Sequence, residues 1–227
     1  MHVKANGLTI NYQIDGADGA PCLVLSNSLA TNLAMWDEQA AALIALLDAL
    51  SIPRAHFGGL SMGGATALGL ALRHPDRVDR AIICDSSCAS TPASSQQWEE
   101  RITAARKGGM EAMVDSTMAR WFPPEIITAN PPYLDKVRAM IRSTPVDGFI
   151  GCAAALADHD FRSPVATVTR PLLFIVGEKD GPQPAAMRDM QQKVPGSRYV
   201  ELPGAGHISN MDQPALFTKA IKEFLMR

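Results

Sequence analysis

The stretch AHFGGLSMGGATALGLALRH, residues 55–74, indicates the fold. Its first six residues form a short apolar run typical of a buried strand, and the small and apolar residues that follow are typical of a helix. Between them, residues 59–63 read Gly-Leu-Ser-Met-Gly and match the pattern G-x-S-x-G. In that pattern a serine lies at a sharp strand-to-helix turn, where its hydroxyl projects above the sheet. We therefore interpret Ser61 as a nucleophile; the alternative is a glycine-rich turn with an incidental serine.

Strand-like and helix-like segments alternate outward from this stretch. Such alternation predicts an α/β fold, a mostly parallel sheet flanked by helices. Runs typical of strands occur at residues 8–14, 21–27, 81–85, 171–176 and 198–202, and helical patterns occur at 36–50 and 213–226.

Residues 94–165 differ from the rest of the chain. They are rich in Met, Arg and helix-forming residues, contain no convincing strand, and are interrupted by two proline pairs, Pro123-Pro124 and Pro131-Pro132. We predict a helical cap inserted here between two strands and covering a site. Residues 1–93 and 166–227 then form the core of a single domain.

Two further residues complete a candidate catalytic set. Asp180 follows the apolar run LLFIVG, and Gly181-Pro182 turns the chain directly after it. His207 lies in a glycine-rich loop before the last helix, where its ring is free to point into a site. The carboxylate can orient the imidazole, which acts as general base towards Ser61. The alternatives are a turn-forming aspartate and a surface histidine, and Asp85, which also ends a strand, is a fallback acid.

A tetrahedral intermediate at Ser61 requires two backbone N–H groups around its oxyanion. The residue after the nucleophile, Met62, is expected to supply one of them. For the other we choose Leu29, in the loop that follows the strand-like run at 21–27.

Composition excludes several classes of partner. The formal net charge is −2 and no block of like charge occurs, so neither nucleic acid nor an anionic membrane is an expected partner. No apolar run approaches the length that spans a bilayer, and the N-terminus lacks the apolar stretch of a signal peptide, which favours the cytoplasm. The four cysteines are scattered and are interpreted as reduced thiols, so no metal is implied. Acyl transfer through a serine would need no cofactor, and we expect none. Nothing in the sequence indicates an oligomeric state.

Four segments together resemble 3-oxoadipate enol-lactonase, a family with the α/β-hydrolase fold. They are LVLSNSLATNLAMWDEQ (23–39), HFGGLSMGG (56–64), RWF (120–122) and AGHISNMDQPALFTKAI (205–221). The resemblance runs over nearly the whole chain, and SNSL is its most specific piece. It implies hydrolysis of an enol-lactone to 3-oxoadipate in bacterial degradation of aromatic acids. It also implies Ser61 as nucleophile, Asp180 as acid, His207 as base and a cap over the site.

The resemblance further implies a small-molecule lactone or ester substrate with a free carboxylate. A cationic residue of the cap should meet that carboxylate, and arginine suits it because its fork grips a carboxylate in two places. Arg101, near Trp98, and Arg120, beside Trp121, are the candidates. The alternative for each is an arginine on a solvated helix face.

The chain departs from the family in two places. Ala30 stands where the family usually has glycine after SNSL, and only 24 residues, Asp37–Leu60, separate Trp36 from Ser61. In the fold this interval holds a helix, a strand, a loop and a second helix, and the seam lies near residues 42–44. Loss of that strand should leave its two neighbours unpaired or paired with each other. Either the chain carries a genuine deletion, or residues of the natural protein are missing from this sequence; we favour the second.

Three other functions remain open. A carboxylesterase or a different lactonase would use the same triad, and so would a cofactor-free haloperoxidase or perhydrolase. A non-catalytic ligand-binding protein of the same fold would have no need of all three triad residues. Fold alone does not decide among them.

Overall fold

Five parallel strands form the main sheet of the computed structural model, which describes residues 1–5, 7–12, 14, 19–26 and 47–226. The strands lie in chain order: β3 (Leu23–Ser26), β4 (Ala55–Leu60), β5 (Val78–Cys84), β6 (Leu172–Gly177) and β7 (Arg198–Leu202). Strands β1 (His2–Ala5) and β2 (Leu8–Asn11) pair antiparallel in a separate hairpin. The predicted α/β class with a mostly parallel sheet is confirmed.

Helices connect and flank these strands. The core helices are α1 (Met62–Arg73), α7 (Gln183–Lys193), α8 (Ser209–Asp212) and α9 (Pro214–Leu225). Between β5 and β6 lie α2 (Pro92–Gly108), α3 (Val114–Trp121), α4 (Pro124–Ala129), α5 (Tyr133–Ser143) and α6 (Val146–Asp158), with 3₁₀ turns at Glu111–Met113 and Pro164–Thr167.

Strand β6 is buried along its whole length. Successive side chains of a strand point to opposite faces, and β6 follows this rule. Leu172, Phe174 and Val176 pack in a cluster with residues of α1 and α7. Leu173 and Ile175 pack on the other face with residues of α9. Because both faces are covered, the strand reads as one continuous apolar run, and the carboxyl edge of the sheet is held rigidly.

Helices α2 to α6 fill the interval predicted as the cap. No strand lies between the described helices of this interval, and an isolated bridge joins Ala89, before the first of them, to Asp160, after the last. The helices enclose an apolar cluster of their own, which includes Ile102, Leu134 and Phe149. The first helix of this interval begins at Pro92, two residues before the predicted start of the cap at residue 94. Reciprocal hydrogen bonds between Thr91 and Ser94 cap its first turn and explain the earlier start. The division into core and cap stays a prediction.

Strand β3 is the edge of the main sheet. It pairs with β4, and no other described strand pairs with its free side, where Leu25 is 64% exposed. The hairpin β1–β2 stands apart from it. The loss of a strand before Ser61 stays a prediction, since residues 27–46 lie outside the described residues. Ala30, Trp36 and the seam at residues 42–44 lie outside the described residues.

None of the helices in the described residues combines the length and apolarity needed to cross a membrane. Within the same residues, no three His, Cys, Asp or Glu side chains cluster closely enough to hold a metal ion.

Candidate active site

Ser61 lies at a strained turn between β4 and α1. Its backbone has φ 58° and ψ −112°, a positive φ that is rare for a residue other than glycine. A hydrogen bond from its N–H to Cys84 O, 2.7 Å, fixes the turn to the end of β5. A Cβ on Gly59 would lie 2.2 Å from the carbonyl carbon of Gly63, so strand and helix pass too closely for any side chain there. Such strain, maintained by tight surroundings, is typical of functional sites.

Asp180 and His207 meet at the same edge of the sheet. His207 Nδ1 lies 2.8 Å from Asp180 Oδ2, and the two residues are 4% and 7% exposed. Asp180 belongs to the turn after β6, and His207 to the loop after β7. Since β6 and β7 are parallel neighbours, their carboxyl ends bring these side chains together. An aspartate at this distance can fix the tautomer and the orientation of the imidazole.

The loop that carries His207 is fixed by contacts with Trp121 and Asp212. The His207 N–H donates to Trp121 O, 2.7 Å, and the rings of Trp121 and His207 stack with centroids 6.1 Å apart. The preceding N–H, of Gly206, donates to Asp212 Oδ2, 2.7 Å. A Cβ on Gly206 would lie 2.4 Å from Trp121 O, so this close approach requires glycine. The imidazole is thus fixed against the last residue of α3.

Asp212 also joins this loop to the cap helices. Its Oδ1 accepts a hydrogen bond of 2.7 Å from the hydroxyl of Tyr133 at the start of α5. Burial raises the pKa of Asp212, while its hydrogen bonds from Tyr133 and Gly206 oppose the rise. Sequence reasoning missed both residues, since a tyrosine 79 positions away carries no sign of the contact.

Arg101 and Arg120 lie together on Trp98. Their guanidinium carbons are 4.7 Å and 4.9 Å from the centroid of the Trp98 ring. Neither forms an ion pair with a carboxylate of the described residues. Part of Arg120 is exposed, but burial of its charged end lowers its pKa, and the charge of Asp180 opposes that effect. Two cations with no anion between them favour an anionic ligand.

Arg101 is the more confined of the two arginines. One nitrogen donates to Thr117 Oγ1 at 3.1 Å, while the other, NH1, is buried without a hydrogen-bond partner among the described residues. Burial and the neighbouring charge of Arg120 lower the pKa of Arg101 to about 9. Buried charged donors are normally paired. An unpaired guanidinium nitrogen therefore indicates a place where an anionic group of a ligand completes the site.

A cavity of about 430 Å³ lies beside the candidate site, with Arg101 and Trp121 in its walls. Its lining residues do not include Ser61, Asp180, His207, Arg120 or Trp98. Its walls include Leu60 and Ile208, which flank Ser61 and His207 in the chain, and Arg101 of α2. Most of the remaining walls are apolar, with Lys136 among the few polar side chains. An apolar cavity with a few converging polar groups is the usual form of a small-molecule site.

The structure brings together most of the predicted site residues. Asp180 pairs with His207, Trp121 stacks on His207, and both arginines lie on Trp98. No hydrogen bond joins Ser61 Oγ to His207 among the described contacts, and catalytic hydrogen bonds are often long before a substrate binds. Met62 opens α1 directly after the nucleophile. Leu29, the other predicted oxyanion donor, lies outside the described residues. The catalytic roles of these residues stay predictions.

Comparison with known proteins assigns the chain to a family. A profile of the alpha/beta hydrolase fold matches residues 18–214. The chain belongs to the α/β-hydrolase fold family.

Within that family the chain is similar to enol-lactonases. It is 29% identical to 3-oxoadipate enol-lactonase 2 of Acinetobacter baylyi, over 99% of this chain and 96% of that protein. It is 30% identical to 3-oxoadipate enol-lactonase 1 of the same organism, over the same shares of each chain. The crystal structure of the enol-lactonase from Burkholderia xenovorans LB400 superposes with a TM-score of 0.92 at 32% identity, covering 100% of both chains. The predicted resemblance is confirmed.

The alignment with the first Acinetobacter enzyme extends over 258 residues, whereas this chain has 227. The alignment must therefore contain gaps in this chain, which agrees with a shortened interval before Ser61.

Proposed function

We propose that this protein is a serine hydrolase that opens a lactone or cleaves an ester through an acyl-enzyme, with 3-oxoadipate enol-lactone as its substrate in aromatic catabolism. The buried pair His207–Asp180, 2.8 Å apart at the sheet edge that carries Ser61, supports this most strongly. The similarity to enol-lactonases supports the choice of substrate.

The first half of the reaction acylates Ser61. His207 takes the hydroxyl proton as Ser61 Oγ attacks the lactone carbonyl, and Asp180 stabilises the imidazolium that forms. The backbone N–H groups of Met62 and Leu29 hold the tetrahedral oxyanion. Collapse of the intermediate breaks the ring C–O bond and expels an enolate. The His207 imidazolium gives its proton to the enolate, which becomes a ketone, and His207 returns to its neutral form. The leaving group is therefore a good one.

The second half releases the acid. His207 takes a proton from water, and the hydroxide attacks the acyl carbonyl. Collapse returns the proton to Ser61 Oγ and frees the carboxylate. Every step is a proton transfer or an acyl transfer, so the reaction needs no cofactor.

Arg101 and Arg120 are proposed to bind the free carboxylate of the substrate, with Trp98 and Trp121 forming the adjoining walls. Trp98 holds the guanidinium groups in place by cation–π contact. Arg101 NH1 has the unfilled donor that a carboxylate oxygen needs. The charge of a carboxylate would offset the repulsion between the two arginines.

A carboxylesterase or another lactonase with the same triad is the second candidate function. Its support is the size of the cavity, about 430 Å³, which lies within the range of roughly 300–1,000 Å³ that accommodates drug-sized ligands. A larger neutral ester would be turned over faster than 3-oxoadipate enol-lactone if this candidate is correct. A non-catalytic binding protein is the alternative from another class.

Labelling with a fluorophosphonate tests the serine mechanism without a choice of substrate. We expect the probe to add once to the wild-type protein, at Ser61, as read from intact mass and peptide mapping. His207→Ala should slow the labelling by about 10²-fold or more, because the hydroxyl loses its base. Ser61→Ala is the matched control and should not label. A folded wild-type protein that stays unlabelled would exclude every serine-hydrolase function proposed above.

A further inference from the structure

A buried carboxyl outside the triad connects the two loops that carry the acid and the base. Asp85 is 0% exposed and follows β5 directly, with a positive φ of 45°. Its own N–H donates to Ile175 O of β6, 2.9 Å, which fixes it at the edge of the sheet. The side chain then points across the end of β6 and makes two further contacts.

The first contact reaches the turn that carries Asp180. Gly177 is the last residue of β6, and its N–H donates to Asp85 Oδ1 at 2.8 Å. The carbonyl of Gly177 in turn accepts the N–H of Asp180, 3.1 Å. Asp85 therefore fixes the residue from which the acid turn starts.

The second contact reaches the loop that carries His207. Ser209, two residues further on and also 0% exposed, donates its hydroxyl to Asp85 Oδ2. Ser209 is the first residue of α8, so this bond fixes the point where the base loop ends. One carboxyl thus ties the acid turn and the base loop to the same strand end.

We infer that Asp85 is a positioning residue, which sets the distance between Asp180 and His207 through its bonds to Gly177 and Ser209. The inference rests on the proposed serine mechanism. Catalytic groups must lie within about 0.5 Å of their productive positions. Added mobility in either loop should therefore lower the rate of acylation and have a smaller effect on the binding of substrate. Burial, together with the charges of Asp180 and Asp212, raises the pKa of Asp85. Burying a carboxyl in this environment is costly. Its presence agrees with a role that an apolar residue could not fill, that of accepting hydrogen bonds from Gly177 and Ser209.

The test compares Asp85→Ala, Asp85→Asn and Ser209→Ala with wild type. Asp85→Ala removes both bonds, and we expect kcat and the rate of fluorophosphonate labelling to fall by about 10- to 100-fold while KM changes less than about threefold. Asp85→Asn should retain activity within about fivefold, because its amide oxygen accepts from Gly177 and its NH₂ donates to Ser209. Ser209→Ala removes one of the two hydrogen bonds, so its kcat should lie between those of Asp85→Ala and Asp85→Asn. The double variant Asp85→Ala/Ser209→Ala should be no slower than Asp85→Ala alone.

Ser86→Ala is the matched control, because Ser86 is a buried neighbour whose hydroxyl lies 3.5 Å from Ser87 O. Ser86→Ala should have the same kcat and the same rate of fluorophosphonate labelling as the wild type. Circular dichroism and urea unfolding establish that each variant is folded, and Ser209→Ala decides the question if Asp85→Ala does not fold. Folded Asp85→Ala or Ser209→Ala that labels at the wild-type rate would overturn the inference. Failure of the wild type to label would instead reject the serine mechanism itself, so the two failures are distinguishable.

Discussion

We expect Asp180→Asn to lower kcat by about 10⁴-fold, because the amide no longer fixes the tautomer of His207 or stabilises its imidazolium. Asparagine has nearly the same size as aspartate, so its side chain still occupies the position 2.8 Å from His207 Nδ1. KM should change little, since Asp180 is not expected to contact the substrate. The measurement is steady-state hydrolysis of 3-oxoadipate enol-lactone.

Asp189→Asn, on the exposed face of α7, is the matched control and should retain full activity. The comparison also decides between Asp180 and Asp85 as the catalytic acid. A loss smaller than about tenfold for Asp180→Asn, with a loss near 10⁴-fold for Asp85→Asn, would transfer the role to the fallback residue.

We expect Arg101→Met to lower kcat/KM for 3-oxoadipate enol-lactone by about 100-fold, mainly through KM, because a buried charge-assisted contact with the substrate is lost. Methionine keeps an unbranched side chain but removes the charge and its contact with Trp98. The methyl ester of the same lactone lacks the anionic carboxylate. Its kcat/KM should change by less than about threefold, since the arginine has no charge to meet.

The matched control is Arg106→Met, an exposed arginine further along α2, which should leave both substrates unaffected. Arg120→Met in the same series determines how the two arginines share the carboxylate. Equal losses on the lactone and on its methyl ester would show that Arg101 acts through the fold rather than through recognition of the anion.

The sequence predicts the elements of this fold well where local rules dominate. The strand before Ser61 is predicted at residues 55–60 and observed there, because a strand buried on both faces must be uniformly apolar. Asp180 and His207 are predictable as a pair because both follow predicted strands, and neighbouring parallel strands end at one edge of the sheet. Their separation of 2.8 Å is a property of the fold that local patterns do not contain.

The sequence predicts contacts between distant segments least well. The bond from Tyr133 to Asp212 joins residues on different layers, and no periodicity reports it. Sequence identifies Arg101 as a candidate carboxylate ligand, but its unpaired buried nitrogen becomes visible only once α2 and α3 are packed together.

The decisive experiment is hydrolysis of 3-oxoadipate enol-lactone by wild type and Ser61→Ala, followed as formation of 3-oxoadipate. We predict saturable turnover by the wild type and a loss of about 10⁴-fold or more in the variant, because the acyl-enzyme can no longer form. Turnover by Ser61→Ala within tenfold of wild type would contradict the serine mechanism. A folded wild type that labels at Ser61 yet leaves the enol-lactone intact would contradict the assignment of the substrate.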